Sequence, residues 1–217
     1  MVNKSTILNN SEKDFLRQSC IEGSRFYNHY LDNKDFLIIT DTLTLYEITF
    51  KTRDFIHFTG LHVNVSDNKF YDLCVKGNLA RNNIRDNQKY NYRTLKDKAI
   101  SVRKLNKFLH ADISTNLFIS NLSTHTKLFP VAITNDKENM TLAFVGNHLH
   151  ARSLRKAKQS TNYESANTIV CILLKDTNSE LYSQIIYLKN IKKLSKLIKE
   201  NKNLISPSVR SIFSSSF

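Results

Sequence analysis

The stretch from Leu43 to Tyr71, LTLYEITFKTRDFIHFTGLHVNVSDNKFY, restricts the fold more than any other part of the chain. Leu45, Ile48 and Phe50 lie in a β-branched and aromatic run, the polar Lys51 to Asp54 interrupts it, and Phe55 and Ile56 resume it. That pattern predicts a β-hairpin. On its second strand Phe55, His57 and Thr59 share one face by period-two alternation, which sets an imidazole beside a hydroxyl, while Ile56, Phe58 and Leu61 cover the other face. Gly60 ends the strand, because it accepts turn conformations that residues with a Cβ resist. Ser66 or Asp67 then caps a helix with Phe70, Leu73 and Cys74 on one stripe and Gly77 as its stop.

A chain of 217 residues with 41% hydrophobic content can fill one sizeable core. Only four Gly and two Pro occur, so no flexible linker divides it. We expect a single domain over 1–205 with helical additions at both ends and a loose Ser-rich tail over 206–217. No apolar run approaches the ~20 residues of a membrane span. The opening MVNKSTILNNSEKDF lacks the apolar core of a secretory signal, so the expected location is the cytoplasm, away from membranes. Cys20, Cys74 and Cys171, odd in number and widely spaced in apolar surroundings, read as reduced core residues.

Ser11 and Asp14 resemble a capping box, followed by Leu16, Cys20, Gly23, Tyr27 and Leu31 at helical spacing. Phe36 to Thr40 is a candidate strand. The most secure helix covers Thr94 to Leu109, with Thr94 and Asp97 as its cap signature and Leu95, Val102, Leu105 and Leu109 as its apolar stripe. From Thr115 the period changes, and strands are expected near 116–121, 127–134 and 140–145. Pro130 lacks an N–H for the ladder, which predicts an edge or a bulge there. A further hairpin is expected from Thr168–Leu174 and Leu181–Leu188. In LKNIKKLSKLIKENKNLI, Leu188, Ile191, Leu194, Leu197 and Ile198 form one stripe, with six lysines between Lys189 and Lys202. The fold class expected is therefore α+β: N-terminal helices followed by a twisted antiparallel sheet of about four to six strands, with a basic C-terminal helix.

The formal charge of +13 attracts polyanions by long-range field and by counterion release, which makes nucleic acid the default partner. The Lys and Asn excess is also what a low-GC coding sequence produces, so the charge does not say which nucleic acid. Two segments concentrate basic residues. In NLARNNIRDNQKYNYR, Arg81, Arg85, Lys89 and Arg93 alternate with Tyr90 and Tyr92. Such interleaving tracks phosphates and stacks on unpaired bases, and a solvated connecting loop explains it equally well. In GNHLHARSLRKAKQS, His148, His150, Arg152, Ser153, Arg155, Lys156 and Lys158 follow a strand directly. The His-x-His pair lacks the further ligands that a zinc site needs, so no metal or other cofactor is expected. No Walker loop, dinucleotide fingerprint or paired metal-binding carboxylates occur.

The segment His57-Phe58-Thr59-Gly60-Leu61, followed by Phe70-Tyr71, resembles the phage-associated branch of the barnase, EndoU, colicin and RelE-like nucleases, with a looser match from about Leu43 to Ser153. The resemblance implies a small metal-independent ribonuclease, acting on tRNA, mRNA or rRNA, with an antitoxin or immunity protein as a candidate partner. Such an enzyme needs a base for the 2′-hydroxyl proton, an acid for the departing 5′-oxygen and fixed positive charge beside the phosphate. His57 is the expected acid or base, with His150 or His148 as the other. Arg152 and Lys127 would hold the phosphate, and Thr59 and Ser153 would donate hydrogen bonds to it. The bland reading of His57 is a histidine bonded inside the core. Two other functions stay open: a non-catalytic nucleic-acid-binding phage regulatory protein, and a protein-binding inhibitor of host defence on the same scaffold.

Overall fold

A computed structural model describes residues 6–106, 109, 116–124, 127–135, 137–156, 162–189 and 191–214. Helix α1 (Asn10–Tyr30) starts two residues earlier than Ser11 and Asp14 suggested. The Asn9 side chain accepts from the Glu12 N–H at 2.9 Å, and the Glu12 carboxylate accepts from the Asn9 N–H at 2.9 Å. This reciprocal pair satisfies two of the orphan donors of the first turn. The predicted stripe holds, for Leu16, Cys20, Gly23 and Tyr27 are all buried. At Gly23 a Cβ would come within 2.2 Å of Val102 Cγ1, so the glycine sets how closely the opening helix and the later one meet.

Strands β1 (Lys34–Thr40) and β2 (Leu45–Phe50) form an antiparallel hairpin. The second strand predicted after Lys51 does not exist. A 3-10 turn at Thr52–Asp54 leads instead into a short helix, α2 (Phe55–Thr59). The Asp54 carboxylate accepts from the Lys51 N–H at 3.0 Å and tightens that turn. Phe55, Ile56, Phe58 and Thr59 are all buried, and a short run buried on nearly every side carries no period that separates helix from strand. Gly60, at φ +67°, ends it with a left-handed cap. Helix α3 (Asp67–Val75) has Ser66 as its N-cap, and Gly77 at φ +72° follows it. Helix α4 (Tyr92–Arg103) is capped by Asn91, whose side chain accepts from the Thr94 N–H at 2.9 Å, and not by Thr94 itself.

Strands β3 (Asn116–Ser123), β4 (Leu128–Asn135) and β5 (Met140–Val145) lie where the alternation placed them. Pro130 stands one residue beyond the last β4–β5 pair, and the β3–β4 register passes from Val131 to Phe129 around it. Strands β6 (His150–Arg155), β7 (Ser165–Asp176) and β8 (Gln184–Leu188) complete the sheet. The expected sheet of four to six strands is thereby corrected. Eight strands run in the order β1-β2-β6-β5-β4-β3-β7-β8, and an added β1–β7 pairing closes seven of them into a barrel, with β8 outside the ring. Closure is possible because β7 is long: Ser165–Thr168 pair with β3, while Ile169–Asp176 pair with β1.

Strand β1 reads as an unbroken apolar run because both of its faces are covered. Phe36 and Ile38 join a large core with α1 to α4, in which Tyr27 meets Phe55, Phe58 and Tyr71 edge-on at 5.2, 5.7 and 5.6 Å. Leu37 and Ile39 join a second core with Cys171, Leu173 and two C-terminal helices, α5 (Ile191–Glu200) and α6 (Pro207–Ser214). The basic helix docks as its stripe suggested, through Leu194 and Ile198. Ser206 onward was expected to be loose, yet α6 buries Val209 and Phe213. With Phe213 only 1% exposed, Phe213→Ala is expected to cost about 3–5 kcal/mol in a urea unfolding titration. All three cysteines are buried and free. Among the described residues no helix is long and apolar enough to cross a membrane.

Candidate active site

The site begins with a defect in the sheet. Ala143 pairs with Ser153 and Phe144 with Ala151, so Arg152 is the extra residue of a β-bulge. A bulge twists the strand locally and re-aims the side chain it carries. On its other edge β6 touches β2 through one parallel pair, Thr49 with His150. Beyond that pair β6 has no strand neighbour among the described residues, and α2 and α4 pack there instead. Lys98 of α4 donates its Nζ to the Leu154 carbonyl at 2.8 Å and satisfies a backbone acceptor that a neighbouring strand would otherwise have taken.

A cavity of about 560 Å³ opens beside this edge. One wall is His57, Gly60, Leu61 and His62, from α2 and the turn that follows it. Facing residues are Arg152, Ser153 and Arg155 of β6, with Lys127 and Phe129 at the β4 end and Lys89 and Tyr90 from the loop before α4. Asp67 is the lone carboxylate among the described lining residues, against four Lys and Arg side chains. The cavity is therefore cationic, and field lines from its charges are focused into a concave site.

The Arg152 guanidinium meets the His57 Nε2 directly. A guanidinium only donates, so Nε2 accepts and the imidazole is neutral, with its proton on Nδ1. Burial pushes the His57 pKa down to about 4, and the adjacent Arg152 charge adds to the effect, against a smaller opposing pull from Asp67. Arg155 donates to the Ser153 Oγ at 3.3 and 3.4 Å and lies over the Phe129 ring at 5.3 Å, with Lys127 over the same ring at 5.6 Å. Both cations thus lean on one aromatic ring, an arrangement that holds flexible side chains in place.

The remaining wall is held by Asn87. Its side-chain NH2 donates to the Gly60 carbonyl at 2.9 Å, and its Oδ1 accepts from the Lys89 and Tyr90 N–H groups at 2.9 and 2.8 Å. One buried amide thereby ties the Lys89–Tyr90 loop to the end of α2. Under Gly60 run the Lys98 stem and the Tyr90 ring, so close that a Cβ there would lie 2.7 Å from Lys98 Cδ. Burial, with the charges of Arg155 and Lys89 adding to it, pushes the Lys98 ammonium down to about 7.

Of the residues singled out in the sequence, the cavity gathers His57, Lys127, Arg152, Ser153, Lys89, Tyr90 and Arg155. The others lie elsewhere. Thr59 is 2% exposed; its hydroxyl donates to the Ile56 carbonyl at 2.8 Å and accepts from the Leu61 N–H at 3.1 Å, so it finishes the helix. His148 is exposed and lines a separate groove with Asp35 and Glu47. His150 packs over Gly146 and stands outside the cavity wall. Arg81 pairs with Asp14 and Lys156 with Asp97 at 2.7 Å. Tyr92 packs against the large core, and Arg85 and Arg93 are exposed away from the cavity wall. Lys158 lies outside the described residues.

His62 and Asp67 line the cavity, yet the sequence offered neither as a site residue and Asp67 only as a helix cap. His62 lies five positions after His57, a spacing that matches neither a strand face nor a helix face. Only the left-handed turn at Gly60 brings the two imidazoles into one cavity. Among the described residues no three His, Cys, Asp or Glu side chains gather as a metal site. A family model described as phage-Barnase-EndoU-ColicinE5/D-RelE like nuclease4 matches residues 21–216, nearly the whole chain and including α6. No curated protein and no solved structure matches it.

Proposed function

Because this chain belongs to the phage-Barnase-EndoU-ColicinE5/D-RelE like nuclease4 family, we propose that it is a metal-independent endoribonuclease that cleaves by attack of the 2′-hydroxyl. The observation that carries the proposal is the contact between a neutral imidazole, His57, and a guanidinium, Arg152, in one cationic cavity. A phosphodiester entering that cavity competes for Arg152, whose planar fork matches two phosphate oxygens. As Arg152 turns to the phosphate it releases the His57 Nε2 lone pair. His57 then takes the 2′-hydroxyl proton as general base, and the Arg152 charge stabilises the phosphorane as negative charge builds.

Lys127, Arg155 and Lys89 supply the surrounding positive field, and the Ser153 hydroxyl, held by Arg155, donates to a phosphate oxygen. Tyr90 beside the cavity offers a face for an unpaired base, which favours single-stranded RNA. The test is incubation of the purified protein with total cellular RNA in excess EDTA. Cleavage leaving 2′,3′-cyclic phosphate ends is expected, and it should vanish in His57→Ala and Arg152→Ala. No cleavage by the wild type, or cleavage that EDTA abolishes, overturns the proposal.

A further inference from the structure

The geometry points to His62 as the general acid that protonates the departing 5′-oxygen, in the same cavity where His57 is the base. This rests on the endoribonuclease reading above and assigns the role it left open. Cleavage by the 2′-hydroxyl needs two proton-transfer groups of opposite state, one empty and one loaded. His57 is held empty by burial and by Arg152. Among the described residues, His62 is the other histidine that lines the cavity, while His148 and His150 stand outside its wall.

The setting of His62 suits a donor. Its Nδ1 lies 3.2 Å from the Asp86 carbonyl, and a carbonyl only accepts, so Nδ1 carries a hydrogen and Nε2 is the atom that gains and loses the exchangeable proton. The carbonyl is itself anchored. The Arg85 N–H donates to the His62 carbonyl at 2.9 Å, Val63 bridges to Ile84, and the Asp86 carboxylate accepts from the Leu8 N–H at 3.1 Å. The ring is thus fixed at one nitrogen and, being exposed, can reload the other from water between turnovers.

In the step proposed, the 2′-hydroxyl proton passes to His57 Nε2 and the O2′–P bond forms. The P–O5′ bond breaks, and the 5′-oxygen takes the proton from His62 Nε2. The products are a 2′,3′-cyclic phosphate and a 5′-hydroxyl, with His57 protonated and His62 neutral. Exchange with solvent restores both.

The experiment compares two short single-stranded oligoribonucleotides, one natural and one with sulfur in place of the bridging 5′-oxygen, because a thiolate leaves without a proton. His62→Ala is expected to cleave the natural substrate at least ~100-fold more slowly than wild type and the thio substrate at close to the wild-type rate. His62→Gln, whose amide can still donate to the Asp86 carbonyl but carries no exchangeable acid, should show the same split, which separates proton donation from support of the loop. His57→Ala should be slow on both. Equal loss on the two substrates in both His62 variants, or wild-type cleavage of the natural substrate, overturns the assignment while leaving the nuclease reading intact. A wild-type protein that cleaves neither substrate removes both.

Discussion

Arg152→Ala is expected to lower kcat on an oligoribonucleotide by about 100- to 1,000-fold, the range seen when one preorganised donor to developing charge is removed. The loss should fall mainly on kcat, because Arg152 meets the phosphate most strongly as negative charge builds. Arg152→Lys should recover only part of the rate, since an ammonium keeps the charge but not the two parallel donors of the guanidinium. The variant also has a signature that a merely structural role would not produce. Arg152 is the second cause, after burial, of the low His57 pKa. Its removal should therefore move the acid limb of the pH–rate profile upward. Steady-state kinetics across pH check both parts, and a rate within tenfold of wild type would remove Arg152 from the chemistry.

His57→Ala should cost ~100- to 10,000-fold, the span typical of a positioned general base. The pH dependence of the wild type carries the sharper expectation. With its pKa pushed down to about 4, His57 is neutral and competent as a base throughout the range above that value. The acid limb of kcat/KM should accordingly stay flat through pH 6 and fall tenfold per unit only below about 4. An unperturbed histidine would lose activity from ~6.5 downward. Stability moves with the same proton. The unfolded imidazole binds it below ~6.5 and the folded one only below about 4, so the native state loses stability as pH falls between the two values. In His57→Gln that part of the acid sensitivity should disappear, as thermal melts at pH 7 and pH 4.5 would read directly.

Much of the architecture is legible along the chain, for reasons that particular elements make plain. The strands near 116–121, 127–134 and 140–145 announce themselves because alternate residues meet core and exterior, and each is bounded by polar turns. The stripes of α1 and α5 repeat at helical spacing and are buried along it. Other elements hide. The run Phe55–Thr59 is too short and too evenly buried for its period to decide between helix and strand. Strand β6, HARSLR, stands out along the chain by its basic residues and not as a strand, because only Ala151 and Leu154 mark its inner face. The tail from Ser206 looks loose until Val209 and Phe213 find the second core.

Residue chemistry and local periodicity were enough to supply a basic α+β chain, and the family resemblance of His57 to Leu61 singled out a histidine and a late arginine as the pair to watch. Contacts between distant segments settled the rest. Barrel closure depends on β1 meeting β7, and the pairing of His57 with Arg152 spans 95 residues. Whether an imidazole is neutral, and which of 32 Lys and Arg side chains share a cavity, depends on burial and on neighbours brought in from elsewhere. Thr59 and His148 carry plausible chemistry in the sequence, yet a backbone carbonyl claims the first and another groove the second. His62 carries no local signal at all and acquires a candidate role only because the left-handed turn at Gly60 folds it back toward His57.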